Sequence, residues 1–530
     1  MRRRRSCLVV LAILALVAGL VVYAAWPGRS TFTVSPETTY VTGPLDKHGY
    51  VDYVTALNER LSQGIKPEDN ANVLIWQALG PHPEGGTMPP EYFQWLGIES
   101  PPEEGEYLVS WQNYLKIQGI IPEPEPFQPD EKQNEDLFLS PGNLSWVRRH
   151  EAQLCEWLKQ NEKPLALIVQ ATRRPLYYNP LVPSRTDDWS PGLMAALVPT
   201  VQRCRELAAA LACRAMLRVN EGKIDEAWQD LLACHRLSRL LARGGSLIEM
   251  LVGIAIEQIA HTSDIAFLDH AMLSAQRILA CWEDLEKLSP MPAVADDVDL
   301  TERFSTLETI MSIARHGPQA LKDLGTPNSR RPSWDHFGGR LFTRSIDWDP
   351  ALRNVNSWYD RLVSALRIPD VDTRTQEMGA ITQDLKILKQ QVTGIGDLEK
   401  ALMGPESRGE WIGNIIIALL LPAIDRLQTA ADRCEQAQVN LHLAFALAAY
   451  HRDNGNYPPK LEELVPKYMP AIPVDLFSDK PLIYRLEGKG YLLYSVGPNG
   501  KDDGGLFYTD DPPGDDIGIR VPAPEPKRTK

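Results

Sequence analysis

A chain of 530 residues with 69 acidic and 55 basic side chains has a formal net charge of −14. That excludes a duplex-binding surface, which needs clustered Lys and Arg to replace released counterions, so no nucleic-acid partner is expected. The length suffices for several domains with cores of their own, and seven cysteines without a Cys-x-x-Cys pair exclude a zinc-finger type of metal site.

The chain opens on Arg2-Arg3-Arg4-Arg5, followed by an apolar run from Cys7 to Trp26. That run can cross a bilayer core as a helix, with Tyr23 and Trp26 suited to the far interface. Four arginines on one flank make residues 1–6 a cytoplasmic N-terminus and place the bulk of the chain across the membrane. A cleaved signal peptide is the competing reading, with Val22 and Ala24 as its small-residue site. The apolar core exceeds what a signal sequence needs, which favours an uncleaved anchor over residues 7–26.

Residues 27–143 form a Pro/Glu-rich region. A Thr-, Pro- and Gly-rich linker leads into two short amphipathic helices, Tyr50–Leu61 and Asn70–Leu79. From Pro81 to Pro141 the chain is dense in Pro, Glu and Gly, and Pro122-Glu123-Pro124-Glu125-Pro126 suits neither a helix nor a central strand. This stretch reads as a meandering surface region with short helices, partly disordered.

Residues 144–405 change to helical periodicity. Leu207–Val219 and Asp225–Leu241 flank the turn Asn220-Glu221-Gly222-Lys223, and Gly222, Ala227 and Leu231 resemble the packing positions of a tetratricopeptide hairpin. That family repeats at about 34 residues, where Ile256 replaces the recurring glycine, so one hairpin stands inside a helical domain. Ser246–Leu268 is the most apolar helix and should be the most buried. Further helices are predicted at about 272–288, 299–315, 349–366 and 371–391, with a polar loop from Pro327 to Asp349. The cysteines read as small buried hydrophobes. Cys213 and Cys234, nearly equidistant from the Gly222 turn, also allow a disulfide in an exported chain.

Glu257, His261 and Asp264 fall at i, i+4 and i+7 on one helix face. Three such groups suit a divalent metal, or a carboxylate tuning an imidazole as general base. The preceding helix carries Arg236, Arg239 and Arg243. Folding back at Gly244-Gly245 sets Arg239 near Glu249, and interhelical ion pairs then explain the stripe without chemistry. His442 and His451, nine apart, point roughly opposite ways, each read as a solvated or locally satisfied residue. No G-x-S-x-G elbow, G-x-G-x-x-G turn or phosphate loop occurs. No catalytic or cofactor-binding residue and no small-molecule substrate is therefore assigned, and the expectation is a protein that is not an enzyme.

The last fifth has a recognisable design. Ile415–Leu421 is apolar and ends at Pro422; a helix then ends at Ala448-Ala449-Tyr450. Asp453-Asn454-Gly455-Asn456-Tyr457-Pro458 and Tyr494-Ser495-Val496-Gly497-Pro498-Asn499-Gly500 follow. Asp502, Asp503, Asp510, Asp511, Asp515 and Asp516 alternate with Gly504, Gly505 and Gly514, a composition that suits a hard cation or a solvated acidic loop. On these residues, the segment from about 411 to 519 resembles the major pseudopilin of bacterial type II secretion systems. The resemblance implies a kink at Pro422, a long helix, a small antiparallel sheet with strands around Tyr484 and at Tyr491–Tyr494, and a calcium ion. The matching calcium ligands are Val496 (carbonyl), Asn499, Asp515, Asp516 and Ile517 (carbonyl). Asn499 stands where the family has Asp, and the apolar stretch before Pro422 is too short to span a bilayer.

The expected fold is mainly α: an N-terminal transmembrane helix, an irregular all-α domain over 144–405, an α+β module over 406–519 and a disordered tail over 520–530. The expected function is that of a single-pass protein of the bacterial inner membrane, its N-terminus cytoplasmic, its helical domain binding unidentified envelope proteins and its module offering a calcium site. The alternatives are a component of a type II secretion-like apparatus, and an enzyme using Glu257 and His261 of the helical domain.

Overall fold

Helix ends in this chain are set by capping residues that can be read directly from the sequence. Asp52, Asn70, Ser110, Asn143, Ser246 and Ser274 each place a side-chain oxygen on an otherwise orphaned N–H of the first turn. The computed structural model describes residues 31–120, 139–183, 192–196, 198–316, 346–393, 404–421 and 424–522. The expected anchor over 7–26, residues 122–126, most of the loop after Pro327, Pro422 and the tail from 523 lie outside them.

The described chain is mainly helical, with one small sheet near its end. In order come α1 (Tyr53–Leu61), α2 (Ala71–Leu79), α3 (Pro90–Leu96), α4 (Trp111–Ile117), α5 (Leu144–Arg149), α6 (Glu151–Gln160) and α7 (Glu162–Ala171). The long helices are α8 (Pro199–Asn220), α9 (Ile224–Leu241) and α10 (Leu247–His270), followed by α11 (Ala275–Glu286) and the short α12 (Val294–Asp297). A π turn at Val298–Glu302 leads into α13 (Arg303–His316); α14 (Asp349–Leu366), α15 (Val371–Thr393), α16 (Pro405–Leu420) and α17 (Ile424–Asn454) complete the helices. Strands β1 (Ile483–Glu487), β2 (Gly490–Ser495) and β3 (Ile517–Val521) form an antiparallel sheet in sequence order. Glu487 pairs with Gly490 across a two-residue turn in which Gly488 takes a positive φ of 59°, as tight hairpins require.

Two main cores run across the boundaries expected at residues 144 and 406. One joins α2, α4–α11, α17 and the sheet; the other joins α1, α10 through Met250, α12–α16 and the start of α17. Helix α16, the apolar stretch before Pro422, packs on α14 and α15. Arg303 is buried in the second core, held by Asp299 (2.8 Å) and Asp360 (2.7 Å) and stacked on Tyr40. The region from Pro81 is less superficial than its composition suggests. Tyr92, Phe93 and Leu96 of α3 pack around the buried Trp76, because one aromatic turn pinned by Pro90 buries enough area to order the segment. Helix α10 is also not the most buried: Ile248 and Leu251 are 50% and 46% exposed, since α8, α9 and α17 cover its other sides. Among the described residues it alone is long and apolar enough to cross a membrane, yet it is a core helix.

Extended connections cross this helical body without a sheet to satisfy them, and buried asparagines take the sheet's place. Asn58 accepts from Leu181 N (3.0 Å) and donates to Leu181 O (2.8 Å). Asn70 does the same with Tyr178 (3.0 and 3.0 Å), and Asn161 with Val109 (2.8 and 3.1 Å). An amide side chain carries one donor group and one acceptor, so it pairs with a residue as a neighbouring strand would. Asn58→Ala strands both polar groups of Leu181 in the interior. It is expected to cost about 2–4 kcal/mol in urea unfolding, and Asn58→Asp, which keeps the acceptor alone, also to destabilise. A cost below about 1 kcal/mol for the alanine variant would show that the pairing is incidental.

Candidate functional site

The residues expected to hold calcium lie in a loop that folds back over the outer face of the sheet. Gly505, with a φ of 83°, sits so close to Leu492 that a side chain there would collide with it. Asp516 accepts from Gly505 N (2.7 Å) and Asp503 N (3.3 Å), which closes the loop. Asp515 Oδ1 takes Arg433 Nη1 (2.8 Å), while its Oδ2 takes Asn499 N (2.8 Å). The Ile517 carbonyl accepts from Asn440 Nδ2 (2.8 Å), and Asn499 Oδ1 from Lys501 N (2.6 Å). Val496 contributes its N–H to Asp475 (3.0 Å). Calcium wants six to eight convergent oxygens. The set does not fit that cage: the side-chain oxygens of Asn499, Asp515 and Asp516 and the Ile517 carbonyl take internal donors, and the Arg433 guanidinium supplies positive charge beside Asp515.

The residues that carry the resemblance build the end of α17. Gly455, in the left-handed region, donates to the His451 carbonyl (2.9 Å) and stops the helix. Tyr450 bonds Glu463 (2.6 Å), Asp453 is held by Lys467 and Tyr468, and Tyr457 packs between His451 and Tyr491. A cavity of about 90 Å³ lies here, lined by Asp269, His451, Arg452, Tyr457 and apolar neighbours, with room for a few waters.

The densest chemistry is buried between α9 and α10. His235 links two carboxylates, through Nδ1 to Glu257 Oε1 (2.9 Å) and through Nε2 to Asp264 Oδ2 (2.7 Å). Arg239 Nη1 donates to Glu257 Oε2 (2.8 Å) and Arg239 Nε to the Ser289 carbonyl (2.9 Å). His261 Nε2 lies at ion-pair distance, 3.2 Å, from the same Glu257 Oε1, and its Nδ1 has no hydrogen-bond partner among the described residues. Burial works against the His235 cation, but Glu257 and Asp264 outweigh it and raise its pKa to about 9. Burial pushes the Glu257 carboxyl up, yet His235, His261 and Arg239 together hold it well below its ordinary value.

The helix-face reading of Glu257, His261 and Asp264 located this cluster but missed His235. Its signal was the i, i+4 spacing with Arg239 on the face of α9 opposite Glu257. Arg239 meets Glu257, not Glu249; Arg236 is half-buried and Arg243 exposed. Glu249 instead bonds Ser246 (2.7 Å), Asn179 (2.8 Å) and Tyr177 (3.2 Å) at the start of α10. Cys213 and Cys234 are both free and buried, and Cys234 Sγ donates to the Ala208 carbonyl. His442 is no solvated residue: it is half-buried, and Nδ1 meets Glu286 (3.2 Å). Glu257 and His261, 1% and 5% exposed, offer a substrate no access, so a catalytic role for them is dropped. Compared with protein families, characterised proteins and solved structures, the chain finds no match.

Two further carboxyls give the fold a pH dependence. Burial raises Glu249 to about 7 from an ordinary 4.5, and burial with the nearby Glu249 charge raises Asp297 to about 8 from 3.8. Both stay protonated in the folded chain where the unfolded chain has ionised. Their contribution is complete below about pH 4 and is lost as pH rises through 7 to 8. In chelator, urea midpoints are expected to fall between pH 6 and pH 8.5, with His235 acting in the same sense. Glu249→Gln should flatten that slope, and a midpoint that rises with pH would refute the assignment. For the loop, Arg433→Ala should destabilise the chain by about 1 kcal/mol, while millimolar calcium against chelator leaves the melting temperature unchanged. A calcium-dependent rise would reinstate the cation.

Proposed function

We propose that this chain is a single-pass, membrane-anchored bacterial envelope protein whose pseudopilin-like C-terminal module braces its helical domain. The observation that carries this reading is the placement of α17. Its residues Leu441, Leu443, Ala444, Phe445, Leu447 and Ala449 are buried, with α10 and α11 packed against the helix on one side and the sheet on the other. Helix α16 likewise spends its apolar side on α14 and α15. A filament subunit needs its apolar helix surface for neighbouring copies; here that surface is consumed within one chain. The Arg2–Arg5 cluster and the apolar run behind it support the anchor and the orientation. In the helical domain, Ile248 and Leu251 are the outward apolar side chains to substitute first in a partner screen.

The full chain is expected in the membrane fraction, resisting high salt and released by detergent. Deleting residues 2–26 should move it to the soluble fraction without changing its melting temperature. Protease added to spheroplasts should degrade the bulk of the chain. Full-length protein that stays soluble would end the anchored reading. Stoichiometric co-purification with a secretion assembly platform would favour the apparatus component instead.

A further inference from the structure

We propose that His235, Glu257 and His261 hold one divalent first-row transition-metal ion, zinc by preference, in a closed structural site between α9 and α10. Ligand atoms of the three residues lie within 4.8 Å of one another, with Glu257 Oε1 2.9 Å from His235 Nδ1 and 3.2 Å from His261 Nε2. Tetrahedral zinc, with bonds of about 2.0–2.2 Å, spaces its ligands about 3.3 Å apart, so small side-chain adjustments suffice. Two imidazoles and a carboxylate are a donor set this class of metal accepts.

The outer contacts of His235 and Glu257 match as well. Histidines that bind metals hand their second ring N–H to a carboxylate, which fixes tautomer and ring orientation. His235 Nε2 meets Asp264 Oδ2 at 2.7 Å, and Arg239 orients the far oxygen of Glu257 at 2.8 Å. His261 is the residue that an ion network alone does not explain. It is 5% exposed, its Nδ1 has no hydrogen-bond partner among the described residues, and its Nε2 reaches only Glu257 Oε1 at 3.2 Å, an oxygen that His235 already holds. Buried polar groups are nearly always satisfied, and a bond to metal at Nε2 satisfies this one. Oxygen-activating centres with two histidines and a carboxylate keep positions open for substrate. This site is sealed, so its fourth ligand is water, its role is to tie α9 to α10, and the ion enters as the chain folds.

The test uses the full-length chain purified without a polyhistidine tag. Elemental analysis should find about one zinc per chain. Chelation should lower the melting temperature, and added Zn²⁺ should restore it. Co²⁺ loaded in place of zinc should give the visible absorption of a tetrahedral site. His261→Gln removes a ligand while keeping a polar side chain beside Glu257 and should abolish that spectrum; Asp264→Asn should weaken affinity about 10- to 100-fold. Wild-type protein with no metal, and no thermal or spectral response to excess Zn²⁺ or Co²⁺, would overturn the proposal and leave a proton-held ion network. Metal uptake by His261→Gln equal to wild type would also overturn it. If that variant does not fold, X-ray absorption of the wild-type zinc site decides: imidazole ligation supports the site and oxygen-only ligation overturns it.

Discussion

The fold depends on pairing the backbone of its extended connections with amide side chains from neighbouring helices. A mostly helical body satisfies its helices internally, but the segments joining them carry N–H and C=O groups that are costly to bury unpaired. The run from Tyr177 to Leu181 passes through the interior, where Asn58 and Asn70 each grip one residue by both of its polar groups. Asn72, Tyr92 and Asn179 extend this into one network, and Asn179 hands it on to Glu249. The first turn of α10 is thereby tied to the loop between α7 and α8. That tie fixes where α10 begins, and so which of its residues face α9.

The register of α9 on α10 then decides the chemistry of the buried cluster. Gly253 is the contact point: a side chain there would strike the Ser238 carbonyl and Ala242. Ser238 Oγ donates to the Gly253 carbonyl, locking the two helices in close approach. Glu257, one turn after Gly253, meets Arg239, next to Ser238, and His235, one turn before it. Burying two carboxylates is tolerable only because cationic partners sit within hydrogen-bond reach, and such networks contribute more to register than to net stability. His261 reaches only the Glu257 oxygen that His235 already holds, and its Nδ1 has no hydrogen-bond partner among the described residues.

Much of the fold was legible because local rules and tertiary packing agree. Ser246-x-x-Glu249 and Asn70 mark helix starts, Gly222 and Gly455 mark stops, and apolar periodicity places the long helices. The face shared by Glu257, His261 and Asp264 was legible for the same reason. His235 was not, because periodicity describes one helix at a time and is silent on which turn of a neighbour it meets. Arg239 was expected at Glu249 and meets Glu257, about two turns on, since Gly253 sets the contact and Glu249 turns back into its own cap. The aromatic turn at Tyr92 was obscured by the prolines around it.

The same distinction governs the C-terminal module. Sequence likeness reports residue types along a strand, and the strands formed near Tyr484 and at Tyr491–Tyr494. Ligand geometry depends on what packs behind a loop, and there Arg433 of α17 reaches Asp515. An arginine fixed in a helix neutralises a carboxylate at no cost of capturing an ion, but its donors point one way and organise one or two oxygens. Calcium would gather the whole loop. With Arg433 in place, the remaining aspartates turn to backbone N–H groups: Asp502 to Gly504, Asp510 to Phe507, Asp516 to Gly505. An acidic loop can therefore be held by backbone N–H groups and by arginines from the elements around it, Arg433 on Asp515 and Arg520 on Asp510, and its charge density alone does not identify a metal site.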